Sequence, residues 1–301
     1  MGRQTVCVVG SLNVDTTFAV RRIPGAGETI LADGRQMSHG GKGANQAAAV
    51  AAAGGEAALI GAVGNDENGI AAVRDLEARG VDVEGVAHSS GSATGSAVIL
   101  VADDGENLIV VDPGANRSLD PVWTADHVKR LNPVVTLAQL EAPYESLVAT
   151  AQAAPTSTFI LNPAPIPPDV NELDQLLALA DVRVPNRTEL GGLVGRPEPT
   201  SVAEVDSCAA ALSFHGTLVV TLGADGVIVY EGSQRRTEVQ AMDVLAVDTS
   251  GAGDVFCGVL AHRLALGDSM ELAVRWASEV AGISTTYRGA RMPAGAPKMP
   301  R

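Results

Sequence analysis

From residue 134 onward the sequence keeps one rhythm, and that rhythm leaves few folds open. Short apolar runs at 134–140, 158–161, 182–184 and 218–221 have strand character, and apolar-periodic stretches at 144–153, 172–180 and 202–214 have helical character. Residues 227–230 and 238–247 continue as strands, the last ending in the apolar run Met242 to Val247, and 255–266 is again helical. Near the start, 5–10 and 57–63 are strand-like, with helices up to Ala53 and over 70–79. Repeated strand–helix units predict an α/β fold with a doubly wound, mostly parallel sheet, an α/β/α sandwich. In such sheets ligands bind beyond the carboxyl ends of the strands. The polar residues discussed below all follow a strand.

Two stretches break the rhythm. Residues 16–20, 28–32 and 35–37 are short strand candidates with no helix between them, and 97–102 and 108–111 flank a turn sequence, Asp103-Asp104-Gly105-Glu106-Asn107. Together they predict a small β-sheet lid, formed by about 14–38 and 96–112, on a single α/β domain spanning 1–301. A formal charge of −14 argues against nucleic acid as the main partner. No apolar run is long enough for a membrane span and no signal peptide opens the chain, so no membrane partner is expected. Cys7, Cys208 and Cys257 show neither zinc spacing nor a disulfide framework, which predicts a cytoplasmic protein.

The densest chemistry lies at Asp248-Thr249-Ser250-Gly251-Ala252-Gly253-Asp254, between an apolar run and a helix. A helix start leaves backbone N–H groups unpaired, and glycines let an anion approach them. Asp254 falls in the first helical turn, beside any phosphate held there. A carboxylate repels a phosphate unless it has a task, and accepting the proton of an attacking alcohol is such a task. The plainer alternative is an acidic residue favouring the helix dipole.

Asn13 and Asp15 follow the first strand, two residues apart, and an extended chain points both to one face. An aspartate there suits a sugar diol, although a turn using both side chains as local caps is the reading this segment favours by itself. Gly40-Gly41-Lys42-Gly43-Ala44-Asn45-Gln46 is a second glycine turn entering a helix, and its Lys42 and Asn45 are able to grip hydroxyls. It has neither Walker nor dinucleotide-fingerprint spacing. Asn186 and Glu189 suit a hydrated Mg²⁺ or, equally, a capping box. The turn over 221–226 offers a hydroxyl and N–H groups to a nucleotide.

The two glycine motifs resemble the hallmarks of the PfkB, or ribokinase-like, family of sugar kinases. Gly10-Ser11-Leu12-Asn13-Val14-Asp15, Pro185-Asn186 to Glu189 and Thr221-Leu222-Gly223 match further blocks in order, so the resemblance covers nearly the whole chain. It implies transfer of the γ-phosphate of MgATP to the 5-hydroxyl of D-ribose, with deoxyribose, another sugar or a nucleoside as alternative acceptors. A sugar-binding sensor is the alternative from another class. By position, the resemblance implies that Asn13, Asp15, Gly41, Lys42, Gly43, Asn45 and Glu141 bind the sugar. Asp254 would be the base, and Gly251, Ala252 and Gly253 the anion hole. Asn186, Thr221, Gly223, Gly226, Gly253 and Ser278 would meet ATP, with Glu189 near Mg²⁺ through water. Asp248, Ser250, Ser284 and Gly289 would hold an activating K⁺. Two departures stand out: Ser278 replaces an Asn or His common in the family, and Pro293 and Ala294 offer no side-chain oxygen to the cation. The lid is expected to pair two subunits as a homodimer.

Overall fold

The computed structural model describes residues 4–212, 214–232 and 234–293. Strand β1 (Thr5–Val9) explains the layering. Val6 and Val8 enter one core, Cys7 and Val9 another, and all four are fully buried. A strand apolar on both faces needs a helical layer on each side.

The chain leaves this sheet at once. β2 (Asn13–Val20) pairs antiparallel with β3 (Gly34–Gly40), and α1 (Lys42–Ala52), β4 (Glu56–Gly64), α2 (Glu67–Ala78) and β5 (Asp82–Ser89) return to it. A second excursion, β6 (Gly95–Ala102) and β7 (Asn107–Asp112), completes a four-stranded sheet of order β3-β2-β6-β7. Then come α3 (Pro121–Leu131), β8 (Val135–Gln139), α4 (Tyr144–Ala153), β9 (Thr158–Asn162), α5 (Asp174–Leu179), β10 (Val182–Arg183) and α6 (Arg187–Leu193). The chain continues through α7 (Val202–Ala211), β11 (Thr217–Thr221), β12 (Val227–Glu231), β13 (Gln234–Val239), α8 (Ala252–Ala265) and α9 (Met270–Ser284).

The main sheet has nine strands in the order β13-β12-β11-β10-β9-β8-β1-β4-β5. It is parallel except at its β12 and β13 edge. Helices α1, α2, α8 and α9 share a core with Val6 and Val8, and α3, α4 and α5 pack on the Cys7 and Val9 side. β1 lies between β4 and β8, so the chain switches direction across the sheet there and opens a crevice at the carboxyl end of β1. None of the described helices is long and apolar enough to cross a membrane.

Several expectations are corrected. Residues 28–32 form no strand: the Glu28 carboxylate accepts the Gly25 N–H (3.0 Å) and closes a turn. Met242 to Val247 is not a strand either. The sheet ends at β13, and the run that follows lines a cavity beside α9, leaving Leu245 89% exposed. Asn13 and Asp15 lie in β2 and not in a turn. The helix expected over 202–214 ends at Ala211, and that over 172–180 begins as a 3-10 turn, Val170–Leu173. β5 and α3 had no sequence assignment.

Candidate active site

Gly251 opens α8 with φ 71°, and a side chain there would meet the Ala290 carbonyl at 2.5 Å. Glycine is therefore required on two counts. In the first turn the Ala252 N–H bonds the Thr249 carbonyl (3.3 Å) and the Val255 N–H bonds that of Gly251 (2.9 Å). The N–H groups of Gly253 and Asp254 have no acceptor among the described residues, as a helix start that can receive an anion requires, whereas the Ala252 N–H, expected in the anion hole, is taken by Thr249. A Cβ on Gly253 would meet nothing within 4 Å, because this edge faces open cavity.

Asp254 is buried. Its Oδ2 accepts from Asn45 Nδ2 and its Oδ1 from Gln46 Nε2, each at 3.0 Å. Both amides come from the first turns of α1. Helices α1 and α8 approach closely because Gly258 has no side chain; a Cβ there would stand 2.5 Å from the Gln46 carbonyl. Gln46 is held in turn by Gln139 Nε2 (2.5 Å) and itself reaches Asn162 Oδ1 (3.2 Å). Burial pushes the Asp254 carboxyl above the usual range, against the opposing pull of Lys42, Asn45 and Gln46. A carboxylate raised this way is a better proton acceptor near neutral pH.

Lys42 begins α1. Burial pulls its ammonium down, but the carboxylates of Asp254, Glu141 and Glu189 outweigh that and raise it, so it stays charged. The Lys42 N–H donates to Glu141 Oε2 (3.0 Å), which also accepts from Ser11 Oγ. This pair bridges the loops after β1 and β8 across the switch point. Asn13 Oδ1 accepts from Asn116 Nδ2 (2.8 Å). Asp15 projects from β2 with Oδ1 buried and unpartnered, and burial, then Glu141, pushes its carboxyl up to about 6. A buried carboxylate oxygen without a donor is costly unless a ligand supplies one.

Three cavities lie at these groups, although Asp15 lines none of them. One of about 440 Å³ is lined by Ser11, Asn13, Asn116 and Glu141. The middle one, about 200 Å³, holds Lys42, Asn162, Glu189, Gly253, Asp254 and Cys257. It shares Asn186, Thr221 and Gly253 with a third of about 380 Å³, which Gly223, Gly226, Ala252 and Ser278 also line. The arrangement suits a small polyol at one end, a nucleotide at the other and Asp254 between them.

Asn186 and Glu189 do form a capping box: Glu189 N donates to Asn186 Oδ1 (2.8 Å) and Asn186 N to Glu189 Oε2 (2.9 Å). The box does not exclude a second task, since Glu189 also faces the middle cavity and burial raises its carboxyl. Among the described residues no cluster of three or more His, Cys, Asp or Glu could hold a metal. The one carboxylate of the capping box at the cavity, Glu189, fits a magnesium ion held mainly by phosphates and water. The Asp248 carboxylate draws Ser250 N (2.9 Å) and Gly289 N (2.8 Å) together. The Ser284 hydroxyl turns away, to the Ala281 carbonyl of its own helix (2.7 Å). It is the Thr285 carbonyl that meets this loop, accepting from Val247 and Asp248. Ala294 lies outside the described residues.

Gly41, the N-cap of α1, has φ 87° and packs on the backbone of Ser11 and Asn13. Gly43 packs on the Gly10 and Ser11 backbone, and a Cβ there would clash with it at 2.6 Å. Ser11, Gln46, Asn116, Gln139, Asn162 and Arg291 belong to the site's framework and were not singled out as site residues from the sequence. For Gln46 a signal existed: it is a buried polar residue in an otherwise alanine-rich helix, one position after Asn45.

Fold and site together define a class, an ATP-dependent kinase that phosphorylates a sugar hydroxyl. The chain belongs to the pfkB family of carbohydrate kinases, whose signature matches residues 3–297. It is 35% identical over 297 residues to the ribokinase of Haemophilus influenzae, covering 96% of this chain and 94% of that one. It is 33% identical over 292 residues to a deoxyribokinase of Salmonella typhi, covering 94% and 93%. Among solved structures it resembles Arabidopsis thaliana ribokinase complexed with ribose and ATP: TM-score 0.86, 29% identity, 96% of this chain and 95% of that one.

Proposed function

We propose that the chain is an ATP-dependent ribokinase, transferring the γ-phosphoryl group to the 5-hydroxyl of D-ribose. The observation that carries this is the buried Asp254 carboxylate, oriented by two amides between a polyol-sized cavity and the free N–H groups of α8. Asp15, Asn13, Lys42 and Glu141 hold the sugar hydroxyls, and the unpartnered Asp15 oxygen supports a diol ligand. Asp254 accepts the proton of the attacking hydroxyl. The N–H groups at Gly253 and Asp254 stabilise charge on the transferring phosphoryl oxygens. Glu189 would hold magnesium through water, and the metal would supply further neutralisation of the phosphate charge. Asn186, Thr221, Gly223, Gly226 and Ser278 receive the nucleotide, and Asp248, with neighbouring carbonyls, receives K⁺.

The same reading treats the chain as one domain with the β2-β3-β6-β7 sheet as its lid. Ile109, Val110 and Val111 on that lid are 54%, 60% and 51% exposed, which supports pairing with a second copy. The buried free thiols of all three cysteines support a cytoplasmic setting. ADP release should be measured with D-ribose, 2-deoxy-D-ribose, other pentoses and nucleosides. Ribose should give the highest kcat/KM. A higher value with deoxyribose or a nucleoside would overturn the acceptor assignment, and equal rates in K⁺ and Na⁺ would retire the cation site.

A further inference from the structure

Arg291 stands one residue behind the base: it bonds the Asn45 side chain that bonds Asp254, and it lines none of the three cavities described above. Its side chain is 6% exposed, and its guanidinium meets three acceptors. Nε donates to Asn45 Oδ1 (2.9 Å), Nη1 to Asp75 Oδ2 (2.6 Å) and Nη2 to the Gly40 carbonyl (3.1 Å). Asn45 lies in the first turn of α1, Asp75 in α2, and Gly40 is the last residue of lid strand β3.

An amide has an acceptor end and a donor end. With Oδ1 held by the guanidinium, Nδ2 is the end that faces Asp254 Oδ2, at 3.0 Å. The flipped amide would set a carbonyl oxygen against the carboxylate and an NH₂ against the guanidinium, two repulsive contacts replacing two attractive ones. A rigid planar fork suits this task better than a single ammonium point charge. The approach of Arg291 is itself fixed: Ala290 packs on Gly251, and Arg79 Nη1 donates to the Met292 carbonyl (3.2 Å).

We propose that Arg291 is a positioning residue for phosphoryl transfer, holding the donor end of Asn45 toward Asp254 and tying that orientation to the end of lid strand β3 at Gly40. Its three hydrogen-bond partners are protein groups, Asn45, Asp75 and Gly40. The inference rests on Asp254 acting as the base. The alternative is a purely structural anchor for the segment after Gly289.

The two are separated by a double-mutant cycle of Arg291→Ala and Asn45→Ala, read as kcat, ATP KM and melting temperature. Positioning through Asn45 predicts that Arg291→Ala lowers kcat about tenfold in the parent, with ATP KM unchanged, and less than twofold once Asn45 is alanine. Independent, multiplying effects on kcat, or an unchanged kcat in Arg291→Ala, would overturn the proposal. If Arg291→Ala melts too low to assay, Arg291→Lys, which keeps the charge opposite Asp75, takes its place in the same cycle with the same criterion. The parent's rate with each acceptor is measured first, and the cycle uses whichever sugar is turned over. A wrong acceptor assignment therefore shows in the parent, and a wrong role for Arg291 shows in the cycle.

Discussion

Asp254 and Asp15 are both carboxylates that burial pushes upward, yet the protein treats them in opposite ways. Asp254 has each oxygen satisfied by an amide of α1, inside the packed junction of two helices. Asp15 sits in the lid sheet with a buried oxygen that no described residue satisfies. The first is held in place by the chain itself, as the proposed role at the transition state requires. The second is left short of a donor, which on the proposed function a ligand hydroxyl provides. The contrast teaches that burial alone does not assign a role; the state of the hydrogen bonds around the buried charge does.

The largest effect should come from Asp254→Asn, which keeps shape and helix start but cannot take a proton. Its kcat should fall roughly 10²–10⁴-fold, the range for a general base, with a melting temperature near the parent's. Full activity with lowered stability would reduce Asp254 to a cap. Asp15→Ala should instead raise ribose KM roughly 10–100-fold, the loss of one charge-assisted hydrogen bond worth about 1.5–3 kcal/mol, while ATP KM holds. An unchanged ribose KM removes Asp15 from the site.

Gly253→Ala tests the anion-binding end beside Asp254. Its added methyl meets no protein atom, so stability should hold or rise by up to about 1 kcal/mol, while phosphate crowding lowers kcat several-fold. Gly251→Ala should do the reverse and lower the melting temperature, since φ 71° and the Ala290 carbonyl both oppose it.

The smallest effect concerns pH. The folded state holds the Asp15 proton up to about pH 6, above the ordinary aspartate range. The proton-bound form therefore favours folding, an advantage fully present below about pH 4 and lost as pH rises through 6. Asp15→Asn carries no such penalty, so sugar-free Asp15→Asn should melt above the parent at pH 7.5 and match it near pH 4. A constant difference across that range would mean Asp15 is not the titrating group.

How legible all this was in the sequence depended on range. The β1 strand was readable because a doubly buried strand is a continuous apolar run. Edge strand β5 was not, because it pairs only with β4 and keeps half its residues polar or exposed. The α3 signal was present, an Asp120 cap followed by Pro121 at the helix start and Asn132 at its end, and went unused. Met242 to Val247 misled because Met242, Val244 and Ala246 line a cavity and not a sheet. Asp254, Asn45 and Lys42 were legible because glycine turns at helix starts mark them locally. Arg291 was not, since its contact with Asn45 spans 246 residues and no periodicity surrounds it.

The division of labour between the two carboxylates is tested most directly by calorimetric titration of D-ribose, without nucleotide, into Asp254→Asn and Asp15→Ala side by side. The account predicts that Asp254→Asn binds ribose within a few-fold of the parent and that Asp15→Ala binds it at least tenfold more weakly. Equal losses in both variants, or a loss confined to Asp254→Asn, would contradict it.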